Sequence, residues 1–198
     1  FVKSTIVNPS FDGQTKETLT TPVSKFGSTC LIDSKFIQEL MKTSIVDRIV
    51  QQAEYKNNKA LKKTDGKKVS SIRGIPKLCD ANKAGGRLSK KCTLILTEGD
   101  SAKTMAIAGL SEVGRDFYGV FPLKGKVLNV KEADANKLAK NTEVSNLKKI
   151  IGLKTGEVYT SDTKPWPLRY GRIIIMTDQD VDGTHIKGLI MNIFHSHW

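Results

Sequence analysis

The fold is decided by an apolar run that ends in an acidic turn, Cys92-Thr93-Leu94-Ile95-Leu96-Thr97-Glu98-Gly99-Asp100-Ser101-Ala102. The run is short, apolar and partly β-branched, which predicts a buried strand, and a helical pattern follows the turn. A second run of this kind, Arg172-Ile173-Ile174-Ile175-Met176-Thr177, leads into Asp178-Gln179-Asp180-Val181-Asp182-Gly183. If the two strands are neighbours in a parallel sheet, both acidic turns lie at the same sheet edge.

Carboxylates crowded at one edge repel each other unless a cation neutralises them. Their hard oxygen atoms favour Mg²⁺, which one or two carboxylates typically hold together with water and a phosphate substrate. Gly99 permits a tight turn, and the small residues Ser101 and Ala102 leave room for a phosphate or a metal. The two turns therefore predict a magnesium site and phosphoryl chemistry.

The string Asp178-x-Asp180-x-Asp182-Gly183 also matches the first half of an EF-hand calcium loop. The twelfth position of such a loop should be a bidentate Glu, but Leu189 stands there, and the preceding segment is a predicted strand rather than a helix. We exclude the calcium loop. A plain surface loop or helix cap is a further alternative for this string alone, and the second acidic turn weakens it.

Strands and helices alternate from position 92 onward, which favours an α/β domain with a largely parallel sheet. Apolar residues at three- and four-residue steps in 186–194 predict a helix, for which Asp182 or Thr184 is the expected N-cap. A further helix is predicted around 144–151. Upstream, the apolar pattern from Ser34 to about Tyr55 predicts one amphipathic helix.

Charge and cysteine content narrow the class of protein. The 198 residues carry a net charge of +12, and residues 56–91 hold twelve basic and two acidic groups. This basic segment has two interpretations. It could attract a polyanion by counterion release, or it could be a solvated linker or localisation signal.

The three cysteines lack Cys-x-x-Cys spacing, which argues against a zinc site or disulfide framework, and the apolar runs are too short for a membrane span. The start lacks an initiator Met, so we expect an internal piece of a longer protein in a reducing intracellular compartment.

The two acidic turns together resemble the Toprim domain. The segment Pro122-Leu123-Lys124-Gly125-Lys126-Val127-Leu128-Asn129-Val130 is similar to type IIA DNA topoisomerases. Four segments look like the eukaryotic topoisomerase II version rather than bacterial gyrase, namely Tyr170-Gly171, Met176-Thr177-Asp178-Gln179-Asp180, His185-Ile186-Lys187-Gly188-Leu189 and Pro76-Lys77-Leu78-Cys79-Asp80-Ala81-Asn82. The resemblance covers nearly the whole chain and is weakest in the basic segment.

The resemblance implies the fold and the domain boundaries. Residues 92–198 are expected to form a Toprim domain, incomplete at its carboxyl end, with a Rossmann-like and largely parallel sheet flanked by helices. Residues 31–91 are expected to form a connecting helix and basic linker. Residues 1–30 resemble the end of a transducer domain, because Asn8-Pro9-Ser10-Phe11-Asp12-Gly13-Gln14-Thr15-Lys16-Glu17 looks like its Gln-Thr-Lys loop.

The resemblance also implies roles for individual residues. Glu98, Asp178 and Asp180 are the expected principal Mg²⁺ ligands, with Asp182 as an additional carboxylate, and Mn²⁺ or Ca²⁺ are expected substitutes. Glu98 is in addition the expected catalytic residue, which assists proton transfer.

DNA and ATP contacts follow from the same resemblance. Lys124, Lys126 and Asn129 are expected to contact DNA. The family commonly has Arg where Lys124 stands, so a planar bidentate contact becomes a point charge. Gln14, Thr15 and Lys16 are expected to contact ATP.

The activity implied is that of an ATP-dependent type II DNA topoisomerase, which cleaves and rejoins both strands of duplex DNA through a 5′-phosphotyrosine intermediate. Its tyrosine lies outside this chain, so the isolated chain is expected to be inactive. The intact enzyme is expected to be a nuclear homodimer without a membrane contact. Two alternatives remain open: a Toprim nuclease or primase-like protein, and a noncatalytic DNA-binding fragment driven by the basic segment. The Gln14-Thr15-Lys16 loop and Lys124-Gly125-Lys126 argue against the first.

Overall fold

The computed structural model describes residues 5–27, 29 and 31–198. The chain divides into two compact units, Phe1–Gln51 and Gln52–Trp198. The described strands are β1 (Thr93–Thr97), β2 (Tyr118–Pro122) and β3 (Arg172–Met176). The described α-helices are α1 (Ser34–Met41), α2 (Ser44–Lys62), α3 (Asp100–Val113), α4 (Ala135–Lys140), α5 (Thr142–Ile151) and α6 (Val181–His197). Short 3-10 helices cover Val23–Lys25, Ser89–Lys91 and Val130–Glu132.

The sheet is parallel and has the strand order β2-β1-β3. The last residue of β1, Thr97, is paired with Met176 of β3 and with Pro122 of β2. The carboxyl ends of all three strands therefore meet at one edge. This arrangement confirms the expected α/β fold with a parallel sheet.

Alternation along β1 divides its side chains between two layers of core. Leu94 and Leu96 are fully buried in the larger core, which also contains Leu147 of α5 and Ile190 of α6. Ile95 packs with the smaller core on the side of α3. The predicted helices at 144–151 and 186–194 are confirmed, and their apolar stripes supply eight of the 21 buried residues of the larger core.

The single amphipathic helix predicted from Ser34 to about Tyr55 is wrong, since two helices occupy this stretch. Thr43 stands between α1 and α2, and its hydroxyl donates to the Leu40 carbonyl at 2.6 Å. The Lys42 amide is bonded to the Glu39 and Leu40 carbonyls, which closes the last turn of α1. Such local bonds compete with continuation of a helix. The apolar residues of this stretch lie in α1 and α2 and are mostly exposed, and their spacing gives no sign of the break at Thr43.

A buried ion pair ties the segment before β1 to the segment before β3. The Arg169 side chain is 0% exposed and donates to an Asp80 carboxylate oxygen at 2.5 Å. Its remaining nitrogens donate to the Val69 carbonyl at 2.6 Å and the Ile150 carbonyl at 2.8 Å. The Tyr170 hydroxyl donates to the other Asp80 oxygen, and burial together with this bond raises the pKa of Tyr170. The carboxylate thus has partners on both oxygens.

A second buried pair joins the end of α2 to α5. Lys148 is 2% exposed, and its ammonium lies 2.8 Å from an Asp65 carboxylate oxygen. The same ammonium donates to the Leu61 carbonyl at 2.9 Å and to the hydroxyls of Thr64 and Thr155. Burial would raise the pKa of Asp65, but hydrogen bonds from Lys148 and Thr155 lower that pKa below its ordinary value.

None of the helices in the described ranges has the length and apolar character needed to cross a bilayer.

Candidate functional site

Glu98 and Asp178 meet at the carboxyl edge of the sheet. Glu98 follows β1 directly, and its amide donates to the Met176 carbonyl at 3.1 Å, so the pairing of β1 with β3 continues past the strands. The amide of Asp178 in turn donates to Glu98 Oε2 at 3.2 Å. The structure therefore brings together two acidic residues that lie eighty positions apart in the sequence.

Asp180 has a structural task at the start of α6. It is the N-cap residue, and its Oδ1 accepts a hydrogen bond from the Gly183 amide at 2.6 Å. The predicted caps, Asp182 and Thr184, are wrong. Gly183 is required here because a Cβ atom at this position would lie 2.2 Å from the Asp178 carbonyl oxygen. The cap holds the first turn of α6 tightly against the acidic turn that begins at Asp178.

Asp182 faces a lysine from the loop after β2. Its carboxylate lies 2.8 Å from the ammonium of Lys126, and both side chains are more than half exposed. The hydrogen bond between them lowers the pKa of Asp182 and raises the pKa of Lys126. An expected metal ligand and an expected DNA contact are thus paired with each other.

A cleft of about 640 Å³ opens between the β1–α3 turn and the β3–α6 turn. Glu98 and Asp178 line it, as do Thr177 and the first turn of α3. On the α3 side, Asp100 forms an ion pair with Lys77, and this hydrogen bond lowers the pKa of Asp100. Lys77 belongs to the segment 76–82 that carried the resemblance, but no role was predicted for it. Only the fold brings the two side chains together.

The donor set at this edge fits a hard divalent cation. Glu98 and Asp178 offer carboxylate oxygens, and the buried Thr177 hydroxyl has no hydrogen-bond partner among the described residues. Two carboxylates completed by water and a substrate phosphate are a common set for Mg²⁺. Across the described ranges, no three His, Cys, Asp or Glu side chains form a ready cluster for an ion. The convergence of Asp180 and Asp182 on the same ion stays a prediction.

The predicted DNA-contacting residues follow β2 at the same edge. The Leu123 amide donates to the Thr97 carbonyl at 2.8 Å, which brings Lys124 beside the end of β1. Gly125 has a φ of +69°, so glycine suits the turn between Lys124 and Lys126. Asn129 accepts from the Lys131 amide at 3.2 Å and from the Asn192 side chain of α6 at 3.3 Å.

Glu143 in α5 is a neighbour of this loop that sequence reasoning missed. Burial raises its pKa, while the opposing effect of Lys124 is smaller. One oxygen of Glu143 is buried and has no hydrogen-bond partner in the described part of the chain. A glutamate in the first turn of a helix is normally explained by its favourable interaction with the helix dipole. No sequence signal therefore pointed to a further role for this position.

The predicted ATP-contacting residues lie in the first unit. Phe11 and Leu19 form an antiparallel bridge, and the Lys16 amide donates to the Gly13 carbonyl at 3.1 Å. Gln14 and Thr15 occupy the middle of that turn. Lys16 has a φ of +55°, and all three side chains are exposed. The loop is thus a tight turn that projects its side chains into solvent.

Comparison with known proteins gives two family matches. The model of the Toprim domain matches residues 93–197, which is just over half of the chain, and the model of DNA gyrase B matches residues 1–68. The first match covers all three strands and α3 to α6.

Relatives and a solved structure extend the likeness to the whole chain. DNA topoisomerase 2 of Drosophila melanogaster is 53% identical, that of Pisum sativum 56% and DNA topoisomerase 2-alpha of Homo sapiens 52%, each over 100% of this chain. The chain spans 13–14% of the length of these relatives. A crystal structure of the Plasmodium falciparum topoisomerase II DNA-binding, cleavage and re-ligation domain is 58% identical, with a TM-score of 0.62 over 66% of this chain and 18% of that one. The chain therefore belongs to the Toprim domain family, in the form that DNA topoisomerase 2 proteins carry.

Proposed function

We propose that this chain is a segment of an ATP-dependent type II DNA topoisomerase and supplies the Mg²⁺-dependent part of its DNA cleavage site. One observation carries the proposal: Glu98 and Asp178 are hydrogen-bonded to each other at the carboxyl edge of the sheet, beside the lysine loop Lys124-Gly125-Lys126, in a chain that resembles DNA topoisomerase 2 from end to end. Duplex DNA is the substrate, and the intact enzyme works as a homodimer in the nucleus.

Glu98 and Asp178 would hold the metal ion, with Asp180 as a further ligand and Asp182 as an additional carboxylate. When bound, Mg²⁺ would supply positive charge that stabilises the scissile phosphate and the leaving 3′ oxygen. Mn²⁺ and Ca²⁺ are expected to occupy the same oxygen ligands.

The lysine loop positions the DNA backbone over the carboxyl edge of the sheet, where Glu98 and Asp178 lie. We call this the acidic edge. Lys124 and Lys126 approach phosphates as point charges, and Asn129 adds a hydrogen-bonding side chain that α6 already orients. Positive side chains beside the carboxylates offset the repulsion that a polyanion would otherwise meet there.

Glu98 moves the proton in the cleavage step. A tyrosine from a part of the enzyme outside this chain attacks the phosphorus atom, and the bond to the 3′ oxygen breaks. The phenolic proton of the tyrosine passes to solvent as its oxygen bonds to phosphorus, and Glu98 assists the transfer of a proton from solvent to the leaving 3′ oxygen. Both proton transfers reverse when the strand is rejoined. The product of cleavage is a 5′-phosphotyrosine link, and its reversal regenerates the tyrosine and the intact strand.

The amino-terminal turn links this chemistry to ATP. The exposed side chains of Gln14, Thr15 and Lys16 reach the nucleotide, and Lys16 contacts its terminal phosphate.

The test is DNA cleavage by the intact enzyme with Glu98→Gln, compared with Glu112→Gln as a matched control on the exposed side of α3. General acid–base catalysis contributes roughly 10²–10⁴-fold, so we expect a loss of cleavage and relaxation in that range for the first variant and none for the second. ATP hydrolysis without DNA should be unchanged in both. Metal-dependent hydrolysis of DNA without a covalent protein adduct would support the nuclease alternative and contradict the proposal.

A further inference from the structure

The amino-terminal ends of β1 and β3 form a second charged region, at the opposite end of the sheet from Glu98. Lys90 and Lys91 precede β1, Arg172 begins β3, and these three residues with Gly171 line an open notch of about 560 Å³. All three cationic side chains are exposed. We call this region the basic notch. Strands of five residues separate it from the acidic edge by roughly 16 Å.

The backbone of the basic notch is held rigidly by contacts between its two segments. The amides of Gly171 and Arg172 both donate to the Cys92 carbonyl, at 2.9 and 3.2 Å. A Cβ atom at position 171 would lie 1.9 Å from the Lys90 carbonyl oxygen, so only glycine permits this approach. The three cations are therefore brought together by the fold rather than by chance contact of mobile side chains.

Trp166 contacts Lys90, one of these three cations, and also contacts a fourth cation, Lys68. The Lys90 ammonium lies 5.4 Å from the centre of the indole ring and donates to the Ser161 carbonyl at 2.7 Å. Lys68 donates to the Trp166 carbonyl at 2.5 Å. All of these partners are neutral, so they fix the positions of the ammonium groups and leave their charge in place.

No carboxylate lies within ion-pair distance of the notch cations in the described part of the chain. The two acidic residues of the basic segment, Asp65 and Asp80, are both committed to buried partners outside it, Lys148 and Arg169. Asp162 is the acidic residue next to Ser161, and its carboxylate accepts from the Ser161 hydroxyl instead. No ion pair among the described residues therefore neutralises the cations of the notch.

We propose that the basic notch binds the sugar-phosphate backbone of duplex DNA, as a contact surface separate from the acidic edge. A group of cations whose backbone positions the fold fixes suits a dense row of phosphates, and the segment 56–91, to which Lys90 and Lys91 belong, carries twelve basic and two acidic residues. An extended polyanion matches this distribution better than a short acidic peptide does. The inference shares with the proposed function the premise that the chain acts on DNA, but it uses none of the cleavage residues.

The test measures binding of a fluorescent 20-base-pair duplex to the 198-residue chain by anisotropy, in EDTA and over a series of salt concentrations. The double variant Lys91→Gln/Arg172→Gln is compared with Lys137→Gln/Lys140→Gln, which removes the same charge from exposed positions of α4. Each phosphate contact contributes about 0.9 to the salt slope, so the first variant should lower that slope by about 2. The second should leave the slope as in the unaltered chain. Thermal melting confirms that both variants fold.

Equal slopes in both double variants, or no DNA binding by the unaltered chain at low salt, would overturn the inference. A parallel titration with poly-glutamate tests the competing partner: loss of poly-glutamate binding without loss of DNA binding would assign the notch to an acidic protein and reject DNA. The notch variants keep every residue proposed for cleavage. Cleavage by the intact enzyme with Glu98→Gln therefore tests the proposed function independently of this binding assay.

Discussion

The buried charges of this domain and the charges at its acidic edge use the same residue types in opposite ways. Asp80 and Arg169 satisfy each other inside the core, where both carboxylate oxygens and three guanidinium nitrogens have partners. Glu98 and Asp178 line one cleft, and the hydrogen bond described between them runs from the Asp178 amide to the Glu98 carboxylate. Oppositely charged groups that pair with each other hold the fold together, whereas carboxylates that line one cleft without a described cationic partner are suited to an external ion.

Replacing Arg169 by Met should give the largest loss of stability. The change leaves the Asp80 carboxylate without its cation and two backbone carbonyls without this donor. Breaking one partner of a buried pair costs about 3–5 kcal/mol, which chemical denaturation of the 198-residue chain would measure. Arg115→Met at an exposed position is the matched control and should change little. A loss below about 1 kcal/mol for Arg169→Met would show that this pair does not hold the fold.

Replacing Asp65 by Asn should cost less, about 3 kcal/mol, because the Asp65 side chain keeps 21% exposure while Lys148 remains buried. The folded-state pKa of Asp65 lies below the ordinary value of 3.8. Its stabilising contribution is therefore complete above pH 3.8 and is lost as the pH falls from there toward the folded-state pKa.

Thermal melting between pH 6 and 2 checks this pH dependence. The Asp65→Asn chain should lose less stability over the acidic part of this range than the unaltered chain does, and Asp162→Asn should follow the unaltered chain. Parallel curves for Asp65→Asn and the unaltered chain would contradict the assignment of this pair.

At the acidic edge, the same kind of change should leave stability almost untouched. Asp178→Asn keeps the backbone amide that donates to Glu98 and removes a like charge, so we expect a change within about 0.5 kcal/mol without metal. Cleavage by the intact enzyme should nevertheless fall by roughly 10²-fold or more. Asp162→Asn controls for the chemistry of the substitution. A strongly destabilised Asp178→Asn chain would erase the contrast between the two regions.

The exposed pair of Lys126 and Asp182 should give the smallest effect on folding. Lys126→Met should leave the melting temperature unchanged, because screened surface pairs contribute little to stability. Its DNA affinity should show a salt slope lower by about one phosphate contact. Lys137→Met on α4 is the control. An unchanged slope for Lys126→Met would remove this lysine from the DNA contact.

The local pattern of apolar residues predicted the strands and helices that position the site. Only the tertiary structure revealed which side chains of these elements pair with each other. β1, β3, α5 and α6 followed from apolar periodicity, and the acidic turns followed the strands as expected. The break at Thr43 was missed because a side-chain bond to a backbone carbonyl leaves the apolar stripe intact.

The ion pairs could not be predicted from the sequence, for a different reason. Asp80 and Arg169 lie 89 positions apart, and Lys77 and Asp100 lie 23 apart, with no periodic signal linking either pair. The capping role of Asp180 was also missed, since the alternating acids offer several equivalent cap residues and only the close approach of Gly183 selects one.

The central claim, that Glu98 and Asp178 share one divalent cation, is tested most directly by titrating the 198-residue chain with Mn²⁺ and following the free ion by electron paramagnetic resonance. The account predicts uptake that Mg²⁺ displaces, a loss of at least about tenfold in affinity for Glu98→Gln and Asp178→Asn, and normal uptake by Glu112→Gln. No uptake by the unaltered chain, or equal uptake by all four proteins, would contradict it.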